Sequence, residues 1–393
     1  MKVGIYLGET DNTTGGGYTF FESIISELCK LNKCSHRFIL FSYSNELLKH
    51  FSPYPDFIET CLLKRAVYNP SLPDKVMNRV RTPKIVLPSP IEDKAREKNI
   101  QLMWYVTSHT GPLDIPYFYT VWDLQHRLQP FFPEVSSNGE WMAREKKISE
   151  VIRRAAFILS GTQRGKLEIS LFYNIPEERI KLLPHPTPSF ALSGLKPDAG
   201  IFNKTGFDKN YLFYPAQFWA HKNHITILKA LREFAGKGKN LPVVFTGSDK
   251  GNLKYIESKI REYSLDKQVK ILGFVSREEL VALYQNALAL VYPTYFGPEN
   301  LPPLEAFALG CPVIASAVPG SDEQLGDCAL FFNPADYHLL AEKIQSLASD
   351  DMLRKNLIQK GIQRAKQYTT LHYVNDIIAL LDSFEPLRAT WGE

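Results

Sequence analysis

Tyr295 to Ser316 reads Y-F-G-P-E-N-L-P-P-L-E-A-F-A-L-G-C-P-V-I-A-S. Pro302 and Pro303 suit the first turn of a helix, because proline presets a helical φ and has no N–H to leave unpaired there. Leu304 to Leu309 continues as a short helix, Gly310 ends it, and the run Val313 to Ser316 follows as a strand. Glu305 is thereby placed in the first turn, where the helix dipole keeps a carboxylate ionised and able to accept two hydroxyl hydrogen bonds, as from a ribose. Helix stability alone is the other use of such a residue, but a buried polar acceptor accounts better for a glutamate inside so apolar a stretch.

The same alternation of helix and strand extends outward in both directions. Strands are predicted at Val3–Leu7, Phe38–Tyr43, Leu102–Val106, Tyr117–Trp122, Ala156–Ser160 and Ile180–Leu183 in the first half, and at Tyr211–Pro215, Pro242–Thr246, Val269–Leu272, Ala289–Tyr292, Val313–Ser316 and Leu330–Phe332 in the second. Helical periods fill most gaps, among them Tyr18–Leu31, Glu140–Ala155, Asn223–Ala235, Arg277–Asn286 and Leu339–Leu347. Strand, helix, strand order in one sheet requires right-handed crossovers and parallel pairing. The expectation is an α/β protein of two Rossmann-like, doubly wound lobes facing a central cleft. Their spans are 1–190 and 205–372, with a linker rich in Pro, Gly, Ser and Lys over Pro184–Asn210. The last helical pattern, Tyr373–Phe384 within 373–393, can pack back on the first lobe.

Composition agrees. A chain of 393 residues, 44% apolar and 22% charged, has material for two cores and too little charge for disorder or a nucleic-acid polycation. Five cysteines without a C-x-x-C pair argue against a disulfide framework and a structural zinc. With no leader-like start and no run of about 18 apolar residues, the expectation is a cytoplasmic chain. Charge concentrates between Lys64 and Lys98, where nine basic residues face four acidic ones. That stretch fits anionic lipid headgroups or an acidic acceptor, and equally a solvated loop.

Open parallel sheets bind ligands beyond the carboxyl ends of their strands. At one such end Gly15, Gly16 and Gly17 remove every Cβ from a helix entrance, which suits a phosphate or a sugar, or simply a flexible turn. At another, Y-P-A-Q-F-W-A-H-K-N-H (Tyr214–His224) sets Lys222 just before Asn223, the expected N-cap, so that an ammonium and free helix N–H groups converge on a diphosphate-sized space. A surface lysine beside an ordinary cap is the plainer reading.

Together with Gly273-Phe274-Val275, P-V-I-A-S-A-V-P-G (Pro312–Gly320), E-x-L-G-D (Glu323–Asp327) and F-N-P-A-D (Phe332–Asp336), these motifs resemble the retaining nucleotide-sugar glycosyltransferases of family four. The match runs along most of Tyr211–Leu347. It is looser in the first lobe, at Gly15–Gly17, Thr120–Arg127 and Ser160–Lys166. The resemblance implies the GT-B fold, an acceptor-binding first lobe and a donor-binding second lobe. Its chemistry is sugar transfer from a nucleoside diphosphate to a hydroxyl of a glycan or lipid-linked acceptor, with anomeric configuration kept. It also implies roles: Glu305 for the ribose, Lys222 for the diphosphate, Phe274 and Val275 for the base, and Asn300 and Leu301 for the phosphates.

Three positions depart from the family pattern. The first glutamate of its pair falls on Gly297, the arginine before the lysine on Gln217, and the histidine of its H-D-L strand end on Trp122. Glu299 is two residues from the missing carboxylate and His126 four from the missing imidazole, so each is a candidate replacement or a bystander. Asp123 is placed to orient an acceptor hydroxyl or to cap a turn. No D-x-D occurs in the sequence, so no metal or other cofactor is expected and Lys222, loop N–H groups and helix dipoles would stabilise the leaving diphosphate. Front-face attack follows, the acceptor hydroxyl passing its proton to the departing phosphate oxygen. A nucleotide-sugar epimerase of the same fold and a catalytically silent sugar-nucleotide binder are the alternatives.

Overall fold

The structure, a computed structural model, describes residues 1–8, 15–64, 90–106 and 113–392, with the side chain of Pro90 left aside. Residues 65–89, the centre of the basic stretch proposed to meet a membrane, lie outside the described residues.

Two wholly parallel sheets form, as the alternation demanded. The first has seven strands in the order β3-β2-β1-β4-β5-β6-β7: β1 Lys2–Tyr6, β2 Arg37–Ser42, β3 Ile58–Leu62, β4 Leu102–Tyr105, β5 Tyr117–Thr120, β6 Phe157–Ser160 and β7 Ile180–Leu182. The second has six, ordered β10-β9-β8-β11-β12-β13: β8 Tyr211–Pro215, β9 Val243–Thr246, β10 Val269–Ile271, β11 Ala287–Tyr292, β12 Val313–Ser316 and β13 Ala329–Phe332. Each sheet reverses its winding once, between β1 and β4 and between β8 and β11. Adjacent connections there leave to opposite faces and open a crevice. Gly15–Gly17 follow β1, Lys222 follows β8, and Glu299 with Asn300 follow β11.

One departure is β3, which the sequence pattern does not announce. Only Ile58 and Cys61 of its five residues are buried, so this edge strand shows no sustained apolar run. A second is the 184–210 segment, which is no free linker. Short helices at Ser189–Leu192 and Ile201–Thr205 bury Phe190 and Ile201 against the second lobe. A third is the helix Asp351–Gln367, whose weakly amphipathic sequence gives little periodic signal.

The chain then returns to the first lobe. Helix Thr370–Arg388 sets Tyr373, Ile377 and Leu381 at four-residue intervals on one face, joined by Val374 and Phe384, and all five are buried in the cluster that covers one side of the first sheet. Its entry runs beside the earlier crossing: Thr187 pairs in parallel with Thr369, and the Thr187 N–H donates to the Tyr368 carbonyl at 3.1 Å.

Candidate active site

The crevices of the two sheets face one another across a cavity of about 470 Å³. Gly16, Gly17, Asp123, Gln217, Lys222, Phe274, Val275, Glu299, Asn300, Leu301 and Glu305 all line it. His126 does not. Its ring is fully buried behind the wall, with Nε2 3.0 Å from Glu145, and that carboxylate also accepts from Arg127 at 2.8 Å and Tyr173 at 3.2 Å. Burial holds His126 below its usual range, so of the two readings open in the sequence, replacement imidazole or bystander, it is the neutral structural histidine.

On the second lobe, Lys222 sits in a 3₁₀ turn after β8 and points its ammonium at the Tyr292 hydroxyl, 3.1 Å, and at Asn300 Oδ1, 3.5 Å. Among the described residues it has neutral partners and no carboxylate within ion-pair distance, which leaves its charge available to an anion. Asn223 behaves differently from the sequence expectation. Its backbone is left-handed, φ 58°, and its amide donates to the carbonyls of Pro293 and Pro334, fixing the β8 loop to the β11 and β13 loops and leaving the helix His224–Gly236 without a side-chain cap.

Glu305 needs two corrections. The helix spans Leu301–Ala308, so Glu305 stands in its second turn, beyond the free N–H groups. Burial pushes its carboxyl up to about 7, against the hydroxyl of Tyr284, which donates to Oε2 at 2.8 Å, and the nearby charge of Arg277. Among the described residues Oε1 has no such partner, and a pair of vicinal hydroxyls would supply the donors that stabilise the ionised form.

The β11 loop is tightly bound. Asn300 and Gln324 exchange hydrogen bonds like two backbone amides, Asn300 N–H to Oε1 and Nε2–H to the Asn300 carbonyl, each 3.0 Å. The Asn300 N–H expected to meet phosphate is therefore engaged within the protein, and it is the side chain that reaches Lys222. The Leu301 side chain is buried in the first lobe's cluster. Gln217, where the family pattern has arginine, accepts from the Trp219 indole at 3.0 Å and donates to Ser248 at 3.2 Å. Phe274 is 68% exposed at the rim, an apolar face open to a base, while Val275 packs on the core.

From the first lobe, Asp123 both lines the cavity and caps its turn, accepting the Gln125 N–H at 3.0 Å. Trp122 presses its ring against the helix entrance: a Cβ on Gly17 would lie 2.7 Å from Trp122 Cη2. This glycine answers a protein side chain. Gly16 stays open towards the cavity, where a Cβ would meet nothing nearer than Leu301 Cδ1 at 3.9 Å.

Glu299 crosses to the first lobe. Its Oε1 accepts the His185 N–H at 2.6 Å, and its carboxylate fills the place a side chain on Gly161 would take. Burial pushes Glu299 up to about 8 and pulls His185 down to about 4. Further bonds span the cleft: Glu22 with Arg277 at 2.9 Å, the N–H groups of Gln163 and Arg164 to Glu323 at 2.6 and 2.9 Å, and Glu134 with His221. Glu134, His185 and His221 are not singled out by the sequence motifs. A signal for Glu134 is nonetheless present, a lone acid inside the apolar P-F-F-P-E-V, by the argument already applied to Glu305.

Residues 199–364 match the model of the family described as Glycosyl transferases group 1. The match falls on the second lobe. Among curated relatives, O-antigen chain mannosyltransferase B of Escherichia coli is 25% identical over 240 residues, 60% of this chain and 63% of that protein. O-antigen chain mannosyltransferase RfbU of Salmonella typhimurium is 28% identical over 236 residues, 58% of this chain and 60% of that protein. The chain thus spans less than two thirds of either relative's length in these matches. Sucrose-phosphate synthase from Thermosynechococcus elongatus superposes with a TM-score of 0.73 at 17% identity, over 98% of this chain and 100% of that one. The two-lobed GT-B fold implied by the group 1 glycosyltransferase motifs is therefore the fold adopted.

Proposed function

We propose that the protein is a retaining glycosyltransferase that moves a hexose from a nucleoside-diphosphate donor to a hydroxyl of a glycan or lipid-linked acceptor without a metal ion. The observation that carries the reading is the pairing, at the winding reversal of the second sheet, of Lys222, a cation with only neutral partners among the described residues, and Glu305, a buried carboxylate with one oxygen unengaged among them. Ammonium and carboxylate line one cavity, the first suited to the phosphates and the second to the ribose of a nucleotide, with Phe274 at the rim for the base.

Leaving-group charge falls to Lys222 and to the N–H groups of Gly16 and Gly17, which open a helix without a side-chain cap. The carboxylates on the wall support metal independence. Asp123 is held by a backbone N–H, Glu134 and Glu299 by His221 and His185, and Glu305 by Tyr284. Among the described residues one group of three could hold a cation, His36, Asp382 and Glu385, and the Met1 ammonium already lies 2.8 Å from Glu385 there. The front-face route is favoured because no carboxylate among the described residues stands free in the donor loop to act as a nucleophile. The curated relatives named as O-antigen mannosyltransferases favour mannose as the sugar and a surface polysaccharide as the acceptor. Work at the inner face of a membrane suits such an acceptor, and no helix among the described residues is long and apolar enough to cross one.

Titration calorimetry with GDP, UDP, ADP and dTDP tests the reading. One nucleotide should bind with micromolar affinity in the presence of chelator, and its mannose or glucose conjugate should release nucleotide when a glycan acceptor is added. Binding that appears only with manganese, or none at all, overturns it. Epimerised donor recovered without acceptor would favour the epimerase instead.

A further inference from the structure

At the level of Lys222 the cavity has a wall built jointly by both lobes, and Glu134 begins it. This residue sits in the short helix Pro133–Ser136 of the first lobe, fixed by Pro133 at the helix start and by the burial of Val135. Its side chain is 4% exposed. One oxygen, Oε1, is consumed by the second lobe: it accepts the backbone N–H of His221 at 3.1 Å and bonds Nδ1 of the same residue. The other oxygen, Oε2, is buried with no partner among the described residues, and Glu134 and His221 both line the cavity. Burial alone would raise this carboxyl, but the His221 ring, the backbone N–H of Glu134 itself and the His221 N–H outweigh it and hold it below the usual range, so it is ionised. Burial keeps His221 itself below its usual range, a neutral ring donating from Nδ1.

A buried anionic oxygen without a donor costs free energy that a ligand can return. The ligand must bring a hydroxyl. A phosphate is excluded, because it would set an anion against an anion, and Lys222, the next residue after His221, already marks where phosphate charge belongs. The two side chains therefore divide the cavity into a phosphate side and a hydroxyl side. We propose that Glu134 is a sugar-binding residue whose Oε2 accepts a hydroxyl hydrogen of the hexopyranose lying next to the diphosphate. His221 positions it. This rests on the nucleotide-sugar reading above and assigns the hydroxyl-recognising carboxylate to the first lobe, not to the loop after β11.

The test compares wild type with Glu134→Gln, which keeps an acceptor for the His221 N–H and turns the unpartnered oxygen into an amide. Two arms are measured by calorimetry: GDP and UDP against GDP-mannose and UDP-glucose, and methyl α-mannoside or methyl α-glucoside added at saturating nucleoside diphosphate. The expected result is at least a tenfold loss of the sugar-dependent affinity in one arm, the first for a donor sugar and the second for an acceptor sugar, with nucleoside diphosphate affinity within twofold of wild type. Unchanged affinities in both arms, or a parallel fall in nucleoside diphosphate affinity, would leave Glu134 as an interlobe tie and overturn the proposal. So would a wild type that gains nothing from the sugar in either arm. A wild type that binds no nucleotide at all removes the nucleotide-sugar reading first, which separates the two failures. Should Glu134→Gln not fold, Glu134→Asp keeps the charge, withdraws it by one methylene and reports the same split.

Discussion

Oε1 of Glu299, carried on the loop after β11, accepts the backbone N–H of His185, at the end of β7, across 2.6 Å. A second-lobe acid is thus buried in the first lobe, and its proton equilibrium is tied to the joining of the two. Burial raises Glu299 to about 8 in the folded protein, from about 4.5 when unfolded, so the fold holds a proton the unfolded chain releases. The stability it contributes is complete below about pH 4.5 and is lost as pH rises through about 8. Histidines held below their usual range are silent above about pH 6.5, which leaves about 6.5 to 8 as the window. There the wild type should lose about 1 to 2 kcal/mol of stability to Glu299, and Glu299→Gln should flatten that slope. Urea melts at several pH values check it, and parallel slopes would contradict the burial.

Lys222→Ala and Glu305→Ala should each weaken binding of the cognate nucleoside diphosphate by about 1 to 3 kcal/mol, as expected for a charged hydrogen bond removed. Melting temperatures separate this from misfolding. Wild-type affinity in both would refute the site.

Glu305 gives that binding a pH dependence. In the empty protein its carboxyl is raised to about 7 by burial, and two hydroxyl donors need it ionised. Nucleotide affinity should therefore tighten as pH rises from about 6 to about 8 and level off above. Calorimetry across that range should show the rise in wild type and its absence in Glu305→Gln.

Gly161→Ala places a methyl group inside the Glu299 carboxylate and should expel that side chain from its seat between the lobes. Thermal unfolding should fall by about 1 to 3 kcal/mol in equivalent free energy, and Gly161→Ala with Glu299→Ala should recover much of it. Gly17→Ala meets the Trp122 ring instead, at 2.7 Å, and should be relieved by Trp122→Leu.

Much of this is legible in the sequence where one residue's neighbours along the chain decide its fate. β8 and β12 fall on the predicted residues, as does the helix Arg277–Asn286, because each carries its own period and its own punctuation. Edge strand β3 is not legible, since only Ile58 and Cys61 turn inward. The positions of Lys222 after β8 and of Glu305 in the short helix after β11 follow from local pattern, while their electrostatics do not. The rise of Glu305 to about 7 comes from its burial in the surrounding core, set against Tyr284 and Arg277, and no local spacing reports it. His126 illustrates the converse. Its distance of four residues from Trp122 suggests the cavity, but a helical turn over Gln125–Leu128 rotates it into the pocket made by Glu145 and Tyr173. Glu134 with His221 and Glu299 with His185 are contacts between residues 87 and 114 positions apart, created only when the lobes meet.

The chain passes between the lobes twice, and the paired Thr187 and Thr369 lay those passages side by side. Two adjacent strips joined by a hydrogen bond should fold along their common line more readily than they shear or swivel, and breathing of the molecule is expected to take the form of a jaw-like swing. The same wiring makes the first lobe a composite of both chain ends. Severing the linker would not yield two folded halves, because the five apolar side chains that helix Thr370–Arg388 lends to the first sheet are worth on the order of 10 kcal/mol, and they would leave with the wrong fragment.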